Sequence, residues 1–294
     1  MTSRETIAGQ RRAGGSPRYR ITPTPLVGAG MVVAYVLVVF GLQLSSGIPY
    51  VDWLSTPANG LRTAVFPLAV GSVLLIAFLA VARWDLIWRD PGLLPMTTAM
   101  KVGISFFAAA IVVRVVGVNW GTVEPDLLLV VIASGIMVGF AEETLFRGIF
   151  LRAMRTNGRT EAVAALWTAI AFGLFHLPNL VVGSGPSQLI QIVLAAVSGA
   201  TLYAFRRYRG LILTAMIAHG AWDSSAFLAD SDGRDWLGPV SLLLVAGGLV
   251  LGILVLTRRP WSPPRASRRS SCIQPSAVGA GADGPVRPSR SASP

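Results

Sequence analysis

The chain has 294 residues, 53% of them hydrophobic and only 13% charged, with a mean hydropathy of +0.61. Soluble domains carry about a quarter charged residues, so this composition excludes an ordinary water-soluble protein and excludes disorder over most of the length. A formal charge of +11 would suggest nucleic acid in a soluble chain, but here the charge follows the apolar segments, and the single cysteine, Cys272, excludes an intramolecular disulfide framework or a multi-cysteine metal site.

A helix crossing about 30 Å of hydrocarbon needs roughly 20 apolar residues. Eight runs qualify, at residues 26–44, 63–82, 102–118, 127–154, 161–180, 189–205, 211–228 and 237–256. Their apolar residues cover every side rather than alternating, so they are expected to be helices and the fold class all-α, a polytopic membrane protein of about eight spans. The first run follows a basic tail and lacks a cleavage site, which makes it a retained anchor rather than a signal peptide. Residues 1–25 form a basic cytoplasmic tail. Residues 258–294, rich in Pro, Ser, Gly and Arg, form a second one that is expected to be disordered and attracted to anionic lipid. The expected partners are thus membrane lipid and a membrane-associated substrate, with no nucleic acid.

Charge sets the expected orientation. Arg4, Arg11, Arg12, Arg18 and Arg20 precede the first span; Arg83, Arg89 and Lys101 follow the second, Arg152, Arg155 and Arg159 the fourth, Arg206, Arg207 and Arg209 the sixth, and seven arginines the last. The opposite connections hold Arg62 and Arg234 beside Asp52, Glu124, Asp126, Asp230, Asp232 and Asp235. By the positive-inside rule both termini are cytoplasmic, which requires an even number of spans. Trp53, Trp120 and Trp236 fall near outer span ends and Trp84, Trp88 and Trp261 near inner ends, as an interfacial belt does. Of the 25 basic residues only Lys101 is lysine, a bias of GC-rich bacterial genes.

Ionisable residues inside spans are costly and therefore informative. They are Arg114, Glu142, Glu143, Arg147, His176, His219 and Asp223. Arg114 lies near the outer end of its helix and is expected to snorkel toward water. Glu143 and Arg147 stand four residues apart on one face, acid first, the favourable order for an ion pair, whereas Glu142 is rotated by about 100° and has no such partner. Phe172 and His176, and likewise His219 and Asp223, are each one turn apart. A hairpin turning at residues 157–160 would set Glu142 level with His176, and Asp223 and His219 bracket a similar depth. The small residues Gly135, Gly139, Ala169, Ala171 and Gly173 are expected to let the fourth and fifth spans approach closely.

A carboxylate, two imidazoles and a second carboxylate in one cavity suit the activation of water. Glu142 can remove a proton from water; His176 and His219 can orient that water or stabilise an oxyanion; Asp223 can fix an imidazole tautomer or donate a hydrogen bond. Peptide hydrolysis fits this inventory without a nucleophilic Ser or Cys. Zinc is an open alternative, because His176, His219 and Asp223 could supply two nitrogens and an oxygen, but a site with no cofactor is favoured.

E-E-x-x-x-R at Glu142–Arg147, F-x-x-x-H at Phe172–His176 and H-x-x-x-D at His219–Asp223, in this order, resemble the CPBP family. That family comprises CAAX prenyl proteases of the second type together with bacteriocin-processing and immunity proteins, also called Abi. The resemblance covers about residues 127–228 within a membrane domain at 26–257. It implies an intramembrane endopeptidase with Glu142 as base, Glu143 and Arg147 as support, Phe172 as a wall, and His176, His219 and Asp223 as polar site residues. The family's prenyl proteases often carry Asn at the last position, and Asp223 adds a charge there that widens the case for a metal. A non-catalytic immunity or scaffold protein, or a proton-coupled transporter, would use the same residues differently; no internal repeat supports the transporter.

The charge count generates one direct test. Reporters fused after Thr160 and Arg209 are expected on the cytoplasmic side and those fused after Asn119 and Ser231 outside, and cytoplasmic signals from the last two contradict the topology.

Overall fold

The structure, a computed structural model, describes residues 19–182 and 187–257. Most of both basic tails, with Cys272 and Trp261, lies outside these residues. Among the described residues the chain is all-helical, and the only β contacts are isolated bridges. In chain order the helices are α1 (Pro25–Ser45), α2 (Pro57–Gly60), α3 (Phe66–Ala82), α4 (Thr98–Gly117), α5 (Pro125–Glu143), α6 (Leu151–Thr156), α7 (Glu161–Leu174), α8 (Asn179–Val182), α9 (Ser187–Arg207), α10 (Ile212–Asp232) and α11 (Leu237–Thr257). Starts follow capping chemistry: the hydroxyls of Thr24, Thr97 and Thr160 accept from the backbone N–H groups of Val27, Met100 and Val163. Two π-helical stretches, Leu61–Val65 and Thr144–Phe150, join α2 to α3 and α5 to α6, so the fourth long helix is continuous but changes register in the middle.

Among the described residues six helical stretches are long and apolar enough to cross a membrane: Pro25–Ser45, Pro57–Ala82, Thr98–Gly117, Pro125–Thr156, Glu161–Val181 and Gln188–Gly210. The seventh and eighth expected spans form helices α10 and α11. However, α10 carries Asp223, Asp230 and Asp232, and the apolar part of α11 is the shorter Pro239–Val255. The connections sort to two ends as the charges anticipate. At one end the Arg20 N–H bonds to the Ala82 carbonyl, Thr156 Oγ1 to Pro23, Asp90 N–H to Gly210 and Ile212 N–H to Trp88. At the other, Asn119 N–H bonds to the Asp232 carbonyl and Arg234 N–H to Gly117.

The arginine-bearing end is fastened by buried charge. Asp90 Oδ1 accepts from Arg155 Nη1 at 2.8 Å and Arg206 Nη2 at 2.7 Å, and Arg206 Nη1 also donates to the Ile87 carbonyl. Arg155 continues to Glu161, which the Tyr203 hydroxyl also meets. These contacts tie the connection between α3 and α4 to α6, α7 and α9.

The small residues work differently from the expectation. Gly135 and Gly139 do not face the fifth span; they let α5 meet α10, the most extensive helix pairing in the fold. A Cβ on Gly139 would collide with the Met216 carbonyl oxygen, and one on Gly135 would lie 2.7 Å from the Gly220 carbonyl oxygen. Gly173 instead faces α9, where a Cβ would lie 2.7 Å from both Ala196 Cβ and the Ile192 oxygen, and Ala169 likewise meets Gly199. The close backbone contacts therefore join the fourth span to the seventh and the fifth to the sixth, rather than the fourth to the fifth.

Gly139→Ala is accordingly expected to lower stability by about 1–3 kcal/mol through overpacking against backbone that cannot move aside. In contrast, Gly30→Ala, whose Cβ meets nothing within 4 Å, is expected to be neutral or to stabilise by up to ~1 kcal/mol through helix propensity. Melting temperatures of the two purified variants compare these directly.

Candidate active site

Glu142 and Glu143 close α5 immediately before the π-helical stretch that carries Arg147. Arg147 Nη1 donates to Glu143 Oε1 at 2.7 Å, and both side chains are fully buried, which bears out the pairing read from their spacing. Arg147 Nη2 donates to the Gly199 carbonyl at 3.0 Å, and the guanidinium lies 4.4 Å from the centre of the Phe172 ring. Gly199 keeps that approach uncrowded, because a Cβ there would lie 3.3 Å from both Arg147 Nη2 and Phe172.

The same Glu143 oxygen accepts from His219 Nδ1 at 2.8 Å. A carboxylate bonded to Nδ1 leaves Nε2 as the ring nitrogen facing the cavity. His219 Nε2 stands 3.8 Å from Glu142 Oε2 and 3.7 Å from Asp223 Oδ2. Glu143, rather than Asp223, therefore orients this imidazole, while Glu142 is the acid directed at its free nitrogen.

His176 lies just past the end of α7, which stops there because Leu177 precedes Pro178 and is thereby disfavoured in helical conformation. Its Nδ1–H donates to the Phe172 carbonyl at 2.9 Å, satisfying a helix-end acceptor and again leaving Nε2 available. Phe172 touches both imidazoles edge-on, with ring centres 5.3 Å from His176 and 5.4 Å from His219. The expected wall residue thus stands between the two histidines and the buried guanidinium.

Two cavities meet at this cluster. One of about 540 Å³ is lined by Glu142 and His176 with Tyr50, Trp53, Gln191 and Asp230. It lies in the half of the bundle that carries the connection between α1 and α2. The other, about 470 Å³, is lined by Glu142, His176, His219 and Asp223 with Trp222 and Arg114. Glu142 and His176 border both cavities. All seven residues singled out around the three motifs are brought together. Among the described residues no three His, Cys, Asp or Glu side chains gather in a metal-binding group.

Arg114 departs from the expectation. It does not snorkel: it is only 5% exposed and turned inward toward the second cavity. Gln191, Tyr50 and Gly199 were not anticipated. Gln191 could have been noticed as an uncharged polar residue within an apolar run, whereas nothing local marks Tyr50 or Gly199.

Residues 124–225 match the family model described as type II CAAX prenyl endopeptidase Rce1-like. No curated protein and no solved structure matches the chain. The matched segment contains all three motifs, and six membrane-length apolar helices among the described residues make the chain a multi-pass membrane protein.

Removing Arg147 would leave Glu143 buried against His219 without its cation. Arg147→Ala is therefore expected to cost about 3–5 kcal/mol of stability, read as a lowered melting temperature, and an unchanged melting temperature would show the pair to be dispensable.

Proposed function

We propose, from the match of residues 124–225 to the type II CAAX prenyl endopeptidase Rce1-like model, that this protein is an intramembrane endopeptidase that cleaves a membrane-associated peptide with water activated by Glu142. The observation that carries this reading is the 3.8 Å separation of Glu142 Oε2 from His219 Nε2, beside a cavity, with the imidazole held from behind by Glu143. Two groups so spaced can both hydrogen-bond one water at ~2.8 Å.

In the proposed reaction Glu142 takes a proton from that water as its oxygen attacks the scissile carbonyl carbon. The carbonyl oxygen gains the negative charge, which N–H groups of the two histidines stabilise when protonated at Nε2. Collapse of the tetrahedral intermediate breaks the C–N bond, and the proton held by Glu142 passes to the leaving amine. Glu143 and Arg147 set the geometry of His219, Phe172 packs the two rings, and Asp223 hydrogen-bonds or polarises from the second cavity.

We read α10 and α11 as membrane spans in addition to the six apolar ones, with both termini in the cytoplasm of a bacterial cell. Two acids of α10, Asp223 and Asp230, line cavities, the usual setting of an ionisable group within a span. With the arginine-bearing end inside, the cavity bordered by Tyr50, Trp53 and Asp230 lies in the outer half of the bundle. The reading requires no metal, because the base, the oriented imidazole and the cavity are all supplied by side chains.

Glu142→Gln is expected to abolish peptide cleavage while preserving expression and melting temperature, since it removes the proton acceptor at constant volume. Cleavage at the wild-type rate by this variant would reject Glu142 as the base. Elemental analysis followed by chelation is expected to leave cleavage intact. Near-stoichiometric zinc, with activity lost on its removal and restored on replacement, would instead make His176, His219 and Asp223 ligands.

A further inference from the structure

Arg114 sits in the last turn of α4, where hydropathy alone would send its side chain to the membrane surface. Instead the guanidinium lies 4.0 Å from the centre of the Trp222 ring, on which Phe107 is also stacked at 4.2 Å. Trp222 thus packs against both the cation and an aromatic ring of the same helix. Arg114 is only 5% exposed, and its Nη1 makes no hydrogen bond.

A buried guanidinium ordinarily meets a carboxylate through its fork of N–H groups, because an unpaired cation out of water is costly. The acid nearest to this duty is Asp223, which lines the same cavity. Its carboxylate approaches His219 Nε2 at 3.7 Å, and no ion pair joins it to Arg114 among the described residues. The guanidinium therefore has an unused donor beside a cavity of about 470 Å³ that Arg114 lines together with Glu142 and His219.

We propose that Arg114 is a substrate-binding residue that captures a carboxylate of the peptide in the second cavity and so fixes the distance between that carboxylate and the bond cut at Glu142. The proposal rests on the endopeptidase reading and adds the recognition chemistry to it. Peptides offer this group from two sources, the free C-terminal carboxylate and an Asp or Glu side chain. Either fits a planar fork backed by an aromatic face, and either would give the guanidinium the direct hydrogen-bonded partner that its Nη1 lacks.

The test uses full-length protein and a peptide library in which each sequence occurs as free acid and as C-terminal amide, and with Asp/Asn and Glu/Gln exchanged. For wild-type protein, neutralising the recognised carboxylate is expected to lower kcat/KM by roughly ten- to a hundredfold, the effect of one or two charge-assisted hydrogen bonds. Loss through amidation assigns the C-terminus, and loss through Gln or Asn assigns a side chain. In Arg114→Gln the ratio of acid to neutral substrate should fall toward one.

A second measurement is independent of turnover: binding of the same peptides to Glu142→Gln protein, followed by tryptophan fluorescence, should favour the acid forms by a similar factor. If wild-type protein cleaves acid and neutral peptides equally and the Glu142→Gln form binds them equally, the proposal is wrong even though the endopeptidase reading stands. If Arg114→Gln keeps the wild-type preference, it is also wrong. Carboxylate-selective binding without any cleavage would retain the binding residue and remove the protease.

Discussion

A guanidinium buried in the middle of a helical bundle must find its compensation locally, and Arg147 finds it on four different segments. Glu143 supplies the charge, Gly199 a backbone carbonyl, Phe172 an aromatic face, and His219 shares the same carboxylate from the far side. Each partner comes from a different part of the chain: the end of α5, α9, α7 and α10. Because an unpaired buried charge costs several kcal/mol, these four elements are constrained to one mutual arrangement. The close backbone contact of α5 with α10, permitted by Gly135, Gly139 and Gly220, holds His219 at the depth of Glu143.

That constraint also separates the tasks of two adjacent acids. Glu143 is spent on structure, with one oxygen engaged by both Arg147 and His219. Glu142, about 100° further round the helix, points to the cavities. Support and chemistry are thus assigned by helical geometry within a single dipeptide. The two histidines follow the same logic, since each commits Nδ1 to the protein and offers only Nε2 to the cavity.

Much of this was legible in the sequence because it depends on short spacings. The i, i+4 relation of Glu143 and Arg147, the convergence of the three motifs and the sorting of connections into a basic and an acidic end all follow from helical periodicity and charge. What was not legible depends on which helices touch. Gly135 and Gly139 were matched to the neighbouring span, but backbone contact joins α5 to the distant α10. Arg114 was expected to snorkel because it lies near the outer end of α4, and nothing in the sequence distinguishes a lipid-facing side of that helix from a cavity-facing one. Hydropathy by itself supports six of the eight expected spans among the described residues, because α10 carries three aspartates and the apolar part of α11 is short.

The arginines at the basic end have a consequence for biogenesis. Arg155 and Arg206 share Asp90, and Arg152 meets Asp85, so residues that create the charge asymmetry of the chain are also clasps of the finished fold. On the proposed topology, part of the cue that orients a nascent chain and part of the joints that hold the mature protein are written in the same side chains. Replacing Arg155 or Arg206 would weaken the charge bias and would also loosen the connection between α3 and α4 that Asp90 anchors.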